Sequence, residues 1–219
     1  MADTDTNATR ASYNRVASDY ARRFDDELEH KPLERDMLAS FAAEVGDGLI
    51  CDLGCGPGHV AAYLRACGAD VIGVDLSDAM VEEARRWHPD VRFEQADMRA
   101  LPFADGEPAG IVALYSLIHL PPDEIPMTLA ELRRTLQPDG ALLVGFHVGE
   151  EMRHLDAWWD QPVSLDFHFF TVERMRGWLT GAGFAPRELT QREPYPEIEA
   201  QTRRAYALAT SPGPQPANR

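Results

Sequence analysis

Long apolar runs are missing from this chain: none reaches the roughly 18 residues that a membrane-spanning helix requires. The first residues, Met1-Ala2-Asp3-Thr4-Asp5-Thr6-Asn7, are polar and acidic and lack the apolar core of a secretion signal, so export is not expected. Cysteine is scarce. The three present cannot all pair, and Cys51 on an expected strand, Cys55 in a glycine turn and Cys67 near a helix end suit a reducing cytoplasm. Basic residues are outnumbered, 21 against 36 acidic, for a net charge of -15. They occur as isolated pairs such as Arg22-Arg23 and Arg133-Arg134, with no basic face to neutralise phosphates, which argues against nucleic acid and leaves small molecules as substrates.

What is present is a globular composition, 44% hydrophobic and 26% charged, at 219 residues: one α/β domain over about residues 1–210. Three strand-like runs each end in an acid. Ile50-Cys51-Asp52 enters the glycine turn Gly54-Cys55-Gly56-Pro57-Gly58, Val71-Ile72-Gly73-Val74 ends in Asp75, and Val91-Arg92-Phe93-Glu94-Gln95-Ala96 leads to Asp97. A strand, a glycine turn, a helix and a second strand ending in an acid form a nucleoside-binding unit. Bare backbone approaches the ligand, and the second acid accepts hydrogen bonds from ribose hydroxyls.

The rest of the alternation reads as a Rossmann-like, mostly parallel seven-stranded sheet with helices on both faces. Strands are expected near 48–53, 70–75, 91–96, 111–116, 141–147, 184–191 and 203–209. An N-terminal helical lid is expected over 8–46, where Tyr13, Val16, Ala17, Tyr20 and Phe24 share one helical face and Pro32 opens a second helix. Residues 148–170, carrying Trp158, Trp159, Phe167, His168, Phe169 and Phe170, read as an irregular aromatic insert. The last two strands are expected as a hairpin-like sheet edge with the C-terminal strand antiparallel, and 211–219, rich in proline, as a disordered tail.

Three adenosine-using chemistries compete for such a core. A P-loop needs Gly-Lys-Ser/Thr, and Pro57-Gly58-His59 stands there instead. A dinucleotide fingerprint needs a further glycine where His59 would crowd the pyrophosphate, and Asp52 would face phosphates unfavourably. A sulfonium cofactor carries no phosphate, and its positive charges welcome nearby carboxylates.

Four blocks in order, D-x-G-x-G-x-G at 52–58, V-D-L-S-D-A-M at 74–80, Q-A-D-M-x-x-L-P at 95–102 and Q-P-D-G-A-L-L-V at 137–144, resemble class I S-adenosylmethionine-dependent methyltransferases, nearest the ubiquinone/menaquinone methyltransferase-like group. The resemblance covers roughly residues 13–147. One departure is Pro108-Ala109-Gly110, where the fourth strand of the family usually opens on an aspartate. The resemblance implies S-adenosyl-L-methionine as cofactor and methyl transfer to O, N or C of a small organic acceptor. The alternatives are a binding protein that has lost catalysis and an NAD-dependent oxidoreductase.

On matching positions the resemblance implies that Gly54, Gly56 and Gly58 touch the methionine part, Asp75 holds the ribose diol, and Leu76 and Met80 pack on the nucleoside. Asp97 accepts the adenine amino hydrogen, Met98 lines the ring, and Asp52 orders water near the ammonium. Tyr13 and Tyr20 close over the cofactor carboxylate, and Tyr115, with Ser116, stands beside the methyl donor. Each has a plainer reading: tight turn, helix cap, turn-stabilising acid or packed aromatic. His119 and His147 fall on the carboxyl-end face of the sheet and are candidate bases, with His168 a further one. Any of the three could instead be a structural hydrogen-bonding histidine. The aromatic insert is the expected acceptor wall. Cys51, Cys55 and His59 have metal-like spacing, but strand geometry turns Cys51 away and no metal site is expected.

Overall fold

The computed structural model describes residues 2–213. Its chain order is α1 (Ala2–Phe24), α2 (Pro32–Val45), β1 (Leu49–Leu53), α3 (His59–Ala66), β2 (Asp70–Asp75), α4 (Asp78–Trp87), β3 (Arg92–Gln95), β4 (Gly110–Leu114), α5 (Ile125–Thr135) and β5 (Ala141–His147). Then come β6 (Met152–Trp158), β7 (Gln161–His168), α6 (Val172–Gly181), β8 (Ala185–Arg192) and β9 (Arg204–Thr210).

Seven strands form one sheet in the order β3-β2-β1-β4-β5-β9-β8, with β9 antiparallel to both neighbours and the β1–β5 pairs parallel. The central parallel strands β1, β2, β4 and β5 are largely apolar on both faces because both are covered, whereas the edge strand β3 buries only Phe93. Cys51, Leu53, Ile72, Val74, Ile111 and Ala113 pack under α5 and α6. Alternate residues Ile50, Val71, Val112 and Leu143 pack against α2, α3 and α4. Cys51 and Cys55 thereby fall in different cores. The chain leaves β1 for β2 on one side and returns to β4 on the other, so the order reverses between β1 and β4, the switch point at which ligands bind in such sheets.

β4 opens on Gly110, in the place where the family has aspartate before the strand, for a packing reason: a Cβ there would stand 2.8 Å from Val45 and 2.9 Å from Phe41 of α2. β4 ends at Leu114, two residues short of the expected end at Ser116, so Tyr115 and Ser116 follow the strand.

The first helix is longer than its apolar face predicts, starting at Ala2. It docks on α4 through a shared cap: Ser77 Oγ accepts from Met80 N (3.1 Å) and donates to Asn14 Oδ1 (2.6 Å), while Asn14 Nδ2 donates to Asp78 (2.7 Å). Such a cap is worth about 1 kcal/mol before the tertiary bonds are added.

Residues 148–170 are not irregular. β6 and β7 form an antiparallel hairpin in which Trp158 pairs with Gln161 across the two-residue loop Trp159-Asp160. Both loop residues have positive φ, 49° and 62°, the geometry that matches hairpin twist and that Asn-Gly usually supplies. Val163 and Leu165 of β7 bury against Val16, Ala17 and Met80, so the hairpin clamps α1 onto the rim of the sheet. Each apolar side chain buried there contributes ~1.5–3 kcal/mol.

The tail expected from Ser211 is held over its first residues. Asp139 N donates to Ser211 O (2.6 Å), Ser211 N to Gly140 O (2.9 Å) and Gly213 N to Asp139 Oδ1 (3.1 Å). The disorder expected for 214–219 lies outside the described residues.

Candidate active site

A cavity of about 280 Å³ opens over the switch point, floored by the carboxyl ends of β1, β2 and β4 and roofed by α1. The three glycines of the first turn all have positive φ, yet they do different things. A Cβ on Gly54 would lie 2.3 Å from Ser116 Cβ, and one on Gly58 would lie 2.7 Å from Phe93, so both are glycine because neighbouring side chains press on them. A Cβ on Gly56 would meet nothing within 4 Å, so of the three it is Gly56 that leaves its backbone open to a ligand.

Asp75 faces that opening. Its Oδ2 accepts from Gly56 N and its Oδ1 from Ser77 N, both at 2.8 Å, which holds the carboxylate at the mouth of the turn with lone pairs to spare. Ser77, not Asp75, caps α4 through its side chain. Burial raises the Asp75 carboxyl above its ordinary range, against the backbone N–H groups that favour its charge. Asp52, 2% exposed, lies beneath. Burial pushes its carboxyl up to about 7 despite the opposing pull of His59, and its Oδ2 has no hydrogen-bond partner among the described residues.

Asp97 also lines the cavity, but its carboxylate is taken: Arg99 reaches it with Nε (3.0 Å), Nη2 (2.6 Å) and backbone N (2.9 Å). Burial opposes its charge, yet the Arg99 bonds hold its carboxyl below the usual range. Any adenine contact at Asp97 must share that carboxylate with Arg99. Leu76 and Met98 line the same end. Met80 borders it too, while its side chain is buried at 1% exposure in the core beneath α1.

The roof brings together residues the sequence offered separately. Tyr13 Oη lies 2.7 Å from His119 Nε2, in the short 3-10 turn after β4, and His119 Nδ1 lies 2.9 Å from Asp166 O. A carbonyl only accepts, so Nδ1 carries the proton and Nε2 accepts from Tyr13. Burial lowers the His119 pKa to about 4, only partly offset by that carbonyl. Tyr20 packs edge-on to Trp158, and Trp158 stacks on Trp159. The hairpin therefore supports α1 and reaches the cavity through Trp158 and Phe167. Phe169 and Phe170 bury inward, and His168 is not in the lining.

Beyond the switch point Tyr115 and His147, both offered by the sequence, meet partners that the sequence did not suggest. Tyr115 has φ 56°, a strained conformation for a non-glycine residue that turns its ring into the cavity. Its hydroxyl is 2.6 Å from Tyr206 Oη, which donates to Glu34. His147 lies against the Tyr115 ring at 5.2 Å and bonds Thr202 Oγ1 at 2.9 Å, and burial with the charge of Arg204 lowers its pKa to about 3. Around them is a buried ion network. Lys31, the one lysine of the chain, reaches Glu27 (2.5 Å) and Glu199 (3.2 Å), and Arg192 joins Glu199 to Glu34. No periodicity announces such a network, because its members come from 27–34 and 192–204. Among the described residues no group of three or more His, Cys, Asp or Glu side chains is placed to hold a metal, and no helix is long and apolar enough to cross a membrane.

Against this geometry the likenesses to known proteins are informative. Residues 50–140 match the methyltransferase domain family. A malonyl-[acyl-carrier protein] O-methyltransferase of Erwinia billingiae is 30% identical over 154 residues, covering 68% of this chain and 60% of that protein. A demethylmenaquinone methyltransferase of Beutenbergia cavernae is 31% identical over 148 residues, covering 62% and 60%. The chain thus spans 60% of the length of these curated relatives. Magnesium protoporphyrin IX methyltransferase from Synechocystis PCC 6803, solved with bound S-adenosylmethionine, superposes with a TM-score of 0.73 at 18% identity, over 94% of this chain and 96% of that one. The fold is that of the methyltransferases. With the family match and the glycine turn, the chain carries a class I S-adenosylmethionine-dependent methyltransferase domain.

Proposed function

We propose that the protein transfers a methyl group from S-adenosyl-L-methionine to O, N or C of a small organic acceptor by in-line displacement. The observation that carries this reading is the pairing of Gly56 with Asp75. A turn left open by the missing Cβ is bonded at 2.8 Å to a carboxylate with spare lone pairs, in a cavity that continues past the switch point to His119 and Tyr115.

The residues present fit the cofactor. Gly54 and Gly56 would take the methionine part, Asp75 the ribose, and Leu76, Met80, Asp97 and Met98 the adenine end, with Gly58 shaping the turn. The orphaned Asp52 oxygen suits the positive methionine end, and Tyr20 would close over it. Bound there, the sulfonium supplies a methyl group on a good leaving group. What remains for the chain is to position the acceptor, exclude water and receive any proton the acceptor loses. α1 and the hairpin cover the site. Tyr13 and His119 are placed for the proton: Tyr13 Oη can accept it from the acceptor while passing its own to His119 Nε2. The weak basicity of His119 suffices for this, because an acceptor oxygen or nitrogen becomes strongly acidic as it gains the methyl group. His147, more acidic still and tied to Thr202, serves as acceptor wall. Small-molecule specificity, no nucleic-acid substrate and a cytoplasmic setting complete the reading.

The test is binding followed by transfer. Thermal stabilisation by S-adenosylhomocysteine and not by NADH is expected, followed by transfer of labelled methyl to a member of a metabolite library. Stabilisation by NADH alone would overturn the proposal, and cofactor binding without transfer to any acceptor would favour a binding protein.

A further inference from the structure

The far end of the cavity is charged, and its charges are unevenly committed. Glu199 is saturated: Oε1 accepts from Arg192 and from Tyr195 N (2.8 Å), and Oε2 faces Arg192 Nη2 (3.1 Å), Lys31 Nζ (3.2 Å) and Arg204 Nε (3.1 Å). Glu27 is held by Lys31 and lies 3.4 Å from His59. Glu34 accepts from Arg192 and Tyr206 on Oε1, which meets its charge, while its Oε2 has no partner among the described residues. His147 is held neutral by its burial and by Arg204.

Arg204 is different. It is 4% exposed, lines the cavity, and its guanidinium lies 5.3 Å over the Tyr115 ring. Nη1 donates to Ala200 O (3.0 Å) and Thr202 O (3.3 Å), but among the described residues Nη2 meets no acceptor. Nε meets Glu199 as an ion pair without a formed hydrogen bond, so the uncommitted N–H groups are those of Nη2, and a carboxylate oxygen entering from the cavity would complete them. Its position favours the acceptor over the cofactor. Arg204 opens β9, opposite His147, with β4 and β5 lying between it and β1, so it stands ~14 Å across the sheet from the strand that feeds the glycine turn.

We infer that the methyl acceptor carries a carboxylate and that the Arg204 guanidinium, beside Lys31 and over Tyr115, anchors it. This rests on the methyltransferase reading. A hydroxyl or N–H on the same molecule would supply the donor that Glu34 Oε2 lacks. The carboxylate is the handle, and the atom methylated lies toward Tyr13 and His119.

The experiment uses protein saturated with S-adenosylhomocysteine and calorimetric titration with matched pairs: benzoate and benzamide, phenylacetate and phenylacetamide, mandelate and mandelamide, hexanoate and hexanamide. At least one carboxylate is expected to bind at least about tenfold more tightly than its amide. Arg204→Met should remove that preference while leaving S-adenosylhomocysteine affinity within about twofold, since only the acceptor's handle is lost. Should that variant fail to fold, Arg204→Lys, which keeps the charge but loses the fork, is expected to retain a reduced preference. No preference for any carboxylate, or one unchanged in the folded Arg204 variant, overturns the inference. A matching loss of S-adenosylhomocysteine affinity assigns the anion site to the cofactor's own carboxylate and overturns it equally. Failure of the wild-type protein to bind S-adenosylhomocysteine sinks the underlying reading instead.

Discussion

Tyr13 of the roof helix and His119 beyond β4 are joined by a 2.7 Å hydrogen bond whose direction is set by the Asp166 carbonyl on the other side of the imidazole. The two residues are 106 positions apart, and their contact links the helix that covers the cavity to the end of the sheet where chemistry is proposed.

Tyr13→Phe keeps the ring that packs against Tyr20 and Trp158 and removes only the hydroxyl. Turnover is expected to fall by about 100-fold, the usual scale for loss of a proton-transfer group, with a smaller change in S-adenosylhomocysteine affinity. Nitrogen-15 NMR of the imidazole checks the geometry independently of any acceptor. His119 should be the Nδ1–H tautomer at neutral pH and titrate near 4. An Nε2–H tautomer would contradict the assignment.

The three glycines should separate fold from binding. Gly54→Ala and Gly58→Ala drive a methyl into Ser116 and Phe93 and are expected to lower Tm sharply or prevent folding. Gly56→Ala costs only the strain of its positive φ, ~1–2 kcal/mol, and should fold. It should nevertheless lose S-adenosylhomocysteine affinity by at least about tenfold, because the new methyl fills the cradle. Paired thermal melts and titrations decide it, and undiminished affinity in Gly56→Ala would remove the turn from the site.

Asp52 predicts a pH dependence. Its folded pKa of about 7 lies above the ordinary value of about 3.9, so between those limits the folded state binds more protons than the unfolded one. Its contribution to stability is therefore full below about pH 4 and is lost as pH rises through 7. Asp52→Asn should abolish that loss, making the variant more stable than wild type at pH 8 by a margin on the order of a few kcal/mol and closing the gap at pH 4. Denaturant unfolding at both pH values tests this. A variant equally or less stable at pH 8 would mean that Asp52 is charged and satisfied in the fold.

Asp75→Ala should weaken S-adenosylhomocysteine binding by at least about tenfold through lost charge-assisted bonds to the ribose. It should also cost some stability, since the side chain ties Gly56 N and Ser77 N as well. Calorimetry and a melt on the same sample separate the two effects. Unchanged affinity would remove the ribose assignment.

The parallel sheet was legible because strands such as Val71–Val74 and Leu142–Val144 are buried on both faces and read as continuous apolar runs. Gly56, Asp75 and His119 were legible from their places at strand ends. The hairpin was not, because its turn uses Trp159 and Asp160 at positive φ in place of the usual glycine signal. Nor was the capture of Asp97 by Arg99, two residues on, or the clasp of Glu199 by Lys31, Arg192 and Arg204. Pairings between side chains leave no period in the sequence, and long-range ones are set only when the fold closes.

The central claim, that a positively charged methyl donor sits in the crevice between β1 and β4 with its sugar on the second strand's acid, is tested most directly by a crystal structure with S-adenosylhomocysteine. The ribose hydroxyls are expected within hydrogen-bond distance of the Asp75 carboxylate, with the amino-acid end over Gly54–Gly56. A ribose bound elsewhere, or a glycine turn left vacant at saturating ligand, would contradict the account.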